Sequence, residues 1–190
     1  LDALRKGVGG FDLNACYEQM KKEAETLPMA SPDNFLESAY DLWALAGIAG
    51  ELGHEEERRK YAGMSEDTWE GIWKEKFMRI DDSTFDIMHG DGLYEGTLWQ
   101  YRWAVPFATE KLAEIAGGRK ALAKELEYFF SHDLYNHGNQ PDIHAAYLFN
   151  RFGRPDLTQK WVTRILTGEM TQRYGTHKQF KTPYRGKIYR

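Results

Sequence analysis

An all-α fold of paired helices is what this sequence predicts, and three observations carry the prediction. Apolar residues recur at intervals of three and four along most of the 190 residues. Prolines and glycines stand where helices should start and stop: Ser31-Pro32-Asp33, Gly53, Gly117-Gly118, Pro141 and Pro155. Two long polar stretches, residues 79–104 and 131–144, interrupt the helical pattern, and stretches of that length in a helical domain usually carry function.

Taken in order, residues 12–27 fit a first helix, with Leu13, Cys16 or Tyr17, and Met20 at helical spacing and Pro28 ending it. Ser31 reads as an N-cap, Pro32 as the first helical residue and Asp33 as an early acid. The helix from there to Leu52 is apolar on almost every side, through Phe35, Leu36, Ala39, Tyr40, Trp43 and Ile48, which predicts burial on several sides. Gly47 and Gly50 would allow a close helix contact, and Gly53 closes the helix. Glu55 to Lys60 form a solvated helix face; Trp69, Ile72, Trp73 and Phe77 then mark one buried stripe. Beyond the first polar stretch, Thr109 is expected to cap a helix that ends at Gly117-Gly118, and Arg119 to Phe130 form the next. Pro141 should start a helix to Phe152, and Pro155 the last one, carrying Leu157, Trp161, Ile165 and Leu166. No period of about 20–50 residues repeats, which argues against a solenoid or a helical-repeat adaptor. Helical hairpins with polar loops at one end predict an α/α toroid or part of one.

Composition is that of a folded protein, with 42% hydrophobic and 28% charged residues. A net charge of −4 gives no support to nucleic-acid binding, and the basic, aromatic tail from Tyr174 is expected to be a connecting segment. With Cys16 as the one cysteine, no internal disulfide is expected. No apolar run is long enough to span a membrane. The chain begins at Leu1 and stops at Arg190 without a natural boundary pattern, so both ends are expected to be cuts in something longer.

The chemistry concentrates between Gly90 and Pro106, where Glu95, Trp99, Gln100, Arg102 and Trp103 lie among three glycines. Indoles beside carboxyl and carboxamide groups suit a sugar, whose ring has an apolar face and hydroxyl edges. Glu95 in a partly apolar pocket would hold a raised pKa and donate a proton; the competing expectation is a surface pair with Arg102. In the second stretch, Asn139, Gln140 and Asp142 offer oxygens at a helix start, suited to a hard cation; taken alone, the stretch reads first as a plain cap, Asn139 satisfying N–H groups before Pro141. His89, His132, His137 and His144 lack zinc-site spacing, and no Gly-x-Ser-x-Gly supports a serine hydrolase.

These stretches resemble two signatures of glycoside hydrolase family 92, the calcium-dependent exo-acting α-mannosidases. Glu95-Gly96-Thr97-Leu98-Trp99-Gln100-Tyr101, followed by Pro106, resembles the family's Glu-Gly-x-x-Trp-Gln-Tyr-x-x-x-x-Pro. The run from Gly138 to His144, with Tyr147-Leu148-Phe149-Asn150 and Gly153-Arg154-Pro155, is similar to the second signature. Leu36 to Trp43 resembles the helix that precedes both.

The resemblance implies part of an (α/α)6 toroid, with the N-terminal β-sandwich and the C-terminal part of the toroid outside residues 1–190. It implies inverting hydrolysis of terminal α-mannosides on a mannose-containing glycan, with calcium gripping the sugar hydroxyls. Glu95 would be the general acid; Trp99, Gln100, Tyr101, Asn139 and His144 would bind the sugar, and Asn139 and Gln140 the calcium. The base would lie beyond Arg190, leaving this piece inactive without the remainder of its own chain. A secreted, periplasmic or cell-surface location is implied too. Gln140 stands where many members have glutamate; were the proton donor at this position instead, a carboxamide could not deliver a proton, and a mannosyl phosphodiester, whose leaving group needs none, is a second expected substrate class. A non-catalytic helical module binding glycans or proteins through the same loops is the alternative outside enzymes.

Overall fold

The computed structural model describes residues 1–80, 92–94, 96–138, 140–172 and 180–183. Its helices fall into two compact units, Leu1–Glu75 and Lys76–Arg190.

The first unit holds α1 (Asp2–Arg5), α2 (Leu13–Ala24), α3 (Pro32–Glu51) and α4 (Glu55–Ile72). Asp12 caps α2 by accepting the Ala15 N–H at 3.0 Å, so the helix starts as expected and ends three residues early, well short of Pro28. α3 starts at Pro32, but the Ser31 hydroxyl does not cap it. Ser31 still stands at the N-cap position, and the Asp33 carboxylate in the first turn accepts both the Ser31 hydroxyl and, at 2.8 Å, the Asn34 N–H. α3 and α4 form a helical hairpin around Gly53, whose φ of 79° only glycine adopts freely. Gly50 faces the Arg58 side chain of α4 with no room for a methyl, the close approach its size predicts. Ser65 of α4 donates to the Ala39 carbonyl at 2.6 Å and fixes the pairing.

Leu42, Leu45, Ala46, Ile48 and Ala49 of α3 form the core with Tyr17 and Tyr61. The Tyr17 ring stacks on His54, and its hydroxyl donates to Glu57 at 2.9 Å. α3 is not apolar to the inside on every face: Tyr40 is exposed and Phe35 and Trp43 are half-buried, so the core uses a broad stripe rather than the whole helix. Trp69, Trp73 and Phe77 are buried as the stripe predicts, and the last turn, Trp73–Phe77, widens into π-helix.

The second unit holds α5 (Leu98–Tyr101), α6 (Thr109–Ile115), α7 (Arg119–Ser131), α8 (Ala145–Arg151) and α9 (Pro155–Thr167). Thr109 is the first residue of α6 rather than its cap, because a 3-10 turn over Pro106–Ala108 leads into it. Gly117 and Gly118, at φ 84° and 102°, turn the chain into α7 as expected. Pro141 lies within a 3-10 turn, Gln140–Asp142, and α8 begins only after His144. The core here is aromatic: Phe130 of α7 stacks on Trp161 of α9, with centroids 5.0 Å apart, and meets Tyr135 and Phe149. A two-stranded antiparallel hairpin, β1 (Glu169–Gln172) with β2 (Phe180–Pro183), follows α9 where a mere connection was expected. Strands of four residues are too short to announce themselves by alternation. The all-α class and the helical hairpins stand.

Candidate active site

A single helical turn cannot hold itself by its own backbone bonds. α5 is such a turn, and side chains hold it. The Gln100 N–H donates to Thr97 Oγ1 at 3.3 Å, and the Thr97 N–H donates to Gln100 Oε1 at 2.8 Å, a reciprocal capping box. Both residues are fully buried. The Tyr101 hydroxyl donates to the Tyr94 carbonyl at 2.7 Å. Gly96 lies against the Tyr101 ring, where a methyl group would collide. So glycine, glutamine and tyrosine in the first motif each fix the backbone beside Glu95. Glu95 itself lies outside the described residues; of its neighbours, Tyr94 is 67% exposed and Gly96 buried.

Trp99, Trp103 and Arg102 fill the space behind this turn. Trp99 meets Tyr128 of α7, and Tyr128 stacks on His132 with centroids 3.7 Å apart. The Arg102 guanidinium is buried beside both indoles, 5.8 Å from the Trp99 ring and 5.7 Å from the Trp103 ring. Burial pulls its pKa down, and Glu125 of α7, paired with it, pushes back. The Trp99 Nε1, Trp103 Nε1 and Gln100 Nε2 donors are buried without a hydrogen-bond partner among the described residues.

In the second motif Asp142 is fully buried, and its Oδ2 accepts the Asn136 N–H at 2.8 Å. Asn136 Oδ1 in turn accepts the Gly138 N–H at 3.1 Å. The Tyr135 hydroxyl lies 2.6 Å from His137 Nδ1, and burial lowers the pKa of that imidazole. His144 Nε2 lies 2.6 Å from the Trp103 carbonyl. A carbonyl only accepts, so Nε2 carries the hydrogen. Burial lowers the His144 pKa, which the carbonyl bond opposes. In the neutral ring, Nδ1 is then left with a lone pair that accepts a hydroxyl or faces a cation.

That bond crosses from one motif to the other, and the Gln140–Asp142 turn packs beside α5. The fold thus brings Trp99, Gln100 and Tyr101 together with Gln140 and His144. Gln140 is exposed; Trp99, Gln100 and Tyr101 are buried, the last two with oxygens used within the motif. Asn139, like Glu95, lies outside the described residues, as do Asp81, Asp82, His89 and most of the basic tail. Among the described residues no three His, Cys, Asp or Glu side chains gather as a metal site.

Sequence reasoning passed over Arg102 as a structural centre, although a cation three residues after one tryptophan and just before another is a visible signal. It offered Asp142 as an oxygen at a helix start and did not foresee its bond back to Asn136. The bond from Asn136 to Asp142 spans six residues, a spacing with no helical or strand meaning.

Residues 29–177 match the family model described as the glycosyl hydrolase family 92 catalytic domain. An uncharacterized secreted glycosidase of Arthroderma benhamiae is 31% identical over 67 residues, which are 35% of this chain and 9% of that protein. The solved structure of the family 92 glycosyl hydrolase CcMan5 superposes with a TM-score of 0.77 at 25% identity, over 96% of this chain and 30% of its own. The chain therefore spans less than a third of the length of these relatives.

Proposed function

The chain belongs to glycosyl hydrolase family 92, and on that premise we propose that it is part of the helical catalytic domain of a secreted, calcium-assisted, inverting α-mannosidase. The observation that carries the reading is the meeting of the two motifs, joined through His144 and the Trp103 carbonyl. Glu95, in the Glu-Gly-x-x-Trp-Gln-Tyr motif, protonates the leaving glycosidic oxygen. A carboxylate elsewhere in the full-length protein activates water on the opposite face, about 6.5–9.5 Å away in inverting enzymes. Trp99, Gln100 and Tyr101 back the pocket; Asn139 and His144 hold sugar hydroxyls, His144 through Nδ1.

Calcium takes six to eight oxygens. The Gln140 carboxamide is an exposed, uncharged oxygen donor and fits that chemistry. With no carboxylate cluster among the described residues, Gln140 and Asn139 would hold the ion together with backbone carbonyls, water and oxygens from elsewhere in the protein. Bound, the ion would supply a positive centre for sugar hydroxyls and favour a distorted ring. Chelation is expected to abolish mannose release by the full-length protein and added calcium to restore it; full activity in chelator would remove the metal from the proposal.

In the full-length protein, Glu95→Gln is expected to lower turnover on a terminal α-mannoside by about 10²–10⁴-fold while mannose still binds. Unchanged turnover would take Glu95 out of the acid role. A second reading is favoured by one residue: with position 140 as the donor's place instead of 95, Gln140 cannot ionise, which suits a leaving group that needs no proton. Faster hydrolysis of a mannosyl phosphodiester than of a mannoside would select it. Binding of mannose without release of either product would point to a glycan-binding module.

A further inference from the structure

Two contacts seat α1 on α3. The Leu1 side chain fills the space over Gly47, where a methyl would collide, and Arg5 Nε donates to Glu51 at 2.8 Å. Between the two helices lies an open hollow of about 400 Å³, within the first unit, which holds neither motif. From α3, Tyr40 and Trp43 line it, their ring centroids 5.6 Å apart and the rings tilted by 40°. Tyr40 is 46% exposed. Asp41 lines the hollow too, and from α1 so do Asp2 and Arg5. Two of these polar groups have capacity left among the described residues. Arg5 uses only Nε, so its two terminal nitrogens keep their N–H donors. The Asp41 carboxylate accepts no hydrogen bond and meets no cation. Aromatic rings beside a donor and an acceptor suit a pyranose, whose C–H face lies on a ring while its hydroxyls reach the polar groups. Charged ligands fit worse, because a cation meets the Arg5 guanidinium and an anion the Asp41 carboxylate.

We propose that this hollow is a second glycan-binding site, taking a neutral pyranose against Tyr40 and Trp43, with Asp41 and Arg5 on its hydroxyls. The site goes beyond the reading of the two motifs and needs neither Glu95 nor calcium. A second grip on a large glycan makes the next encounter intramolecular and raises the local concentration of its chain ends.

The test uses the full-length protein and a branched α-mannan. Retardation in a native gel containing mannan reads binding; hydrolysis of an aryl α-mannoside, too small to reach two sites, reads the catalytic site. Tyr40→Ala and Asp41→Ala are each expected to weaken mannan binding by about 3- to 10-fold, with kcat and KM on the aryl mannoside held within about twofold. Both side chains are exposed, so both variants should fold. Tyr40→Phe keeps the ring and is expected to bind as the unaltered protein does. Mannan binding unchanged in both alanine variants, or absent from the unaltered protein, would overturn the proposal. Equal losses on mannan and on the aryl mannoside would overturn it too, since they mark a change in the catalytic site or the fold. If the unaltered protein hydrolyses no mannoside, the reading of the two motifs fails, and the gel still decides the hollow by itself.

Discussion

In α3, 20 residues bury a broad apolar stripe; in α5, four residues rest on a handful of named hydrogen bonds. The long helix spreads its stability over Leu36, Ala39, Leu42, Leu45, Ala46, Ile48 and Ala49, each a replaceable share of one surface. The short one depends on Thr97, Gln100, Tyr101 and Gly96, each doing something its neighbours cannot. Losing a methyl from α3 therefore costs stability, whereas losing an oxygen from α5 changes geometry next to Glu95.

The largest expected effect on stability lies in the long helix. Leu42 is fully buried, and Leu42→Ala should destabilise the full-length protein by about 2–5 kcal/mol, read by denaturant unfolding. The kcat of the molecules that remain folded should not change; a parallel fall in kcat would break the contrast. Thr97→Ala comes next. It removes the cap and should cost about 1–3 kcal/mol, yet lower kcat/KM at least about tenfold. If it moves stability alone, α5 is no more sensitive than α3.

The smallest effect is on pH dependence, and here the two regions differ in sign. His144 takes a proton near pH 6.5 when unfolded, and burial holds its folded pKa lower. Its contribution is therefore whole above about pH 6.5 and is lost as pH falls below it, because the unfolded chain binds the proton first. Glu37 and Asp41 on α3 have pKa values raised, mainly by burial, then for Glu37 by Asp33 and Asp41 and for Asp41 by Glu23. Their folded state binds protons first, so the stability they cost at neutral pH is relieved as pH falls through the carboxylate range. Unfolding followed from about pH 7.5 to 4 should show His144→Gln flattening the upper part of this range and Glu37→Gln the lower; reversed slopes would sink the assignment.

The same contrast explains what could be seen in the sequence. α3 was legible from periodicity and its proline start, because a long helix repeats its instruction every turn. Ser31 stands at its N-cap as read, but that its hydroxyl turns to the Asp33 carboxylate instead of a backbone N–H was not legible. The two motifs were legible as strings, but the bond that joins them, from His144 to the Trp103 carbonyl, was not. Their inner bonds were not legible: the Gln100 oxygen accepts the Thr97 N–H, which the string does not announce, and Pro141 looked like a helix start and lies within a 3-10 turn. The β1–β2 pairing was hidden because neither strand is long enough to show a pattern.

Gly96 and Tyr101 carry a consequence for how this stretch can diverge among descendants. A methyl at position 96 would occupy space that the Tyr101 ring fills, so Gly96→Ala alone is disfavoured. A smaller residue at 101 opens that space but forfeits the bond to the Tyr94 carbonyl. Either change taken first is harmful and only the pair relieves the collision, so the two positions should be inherited together, and a lineage that has lost one is expected to have replaced the other.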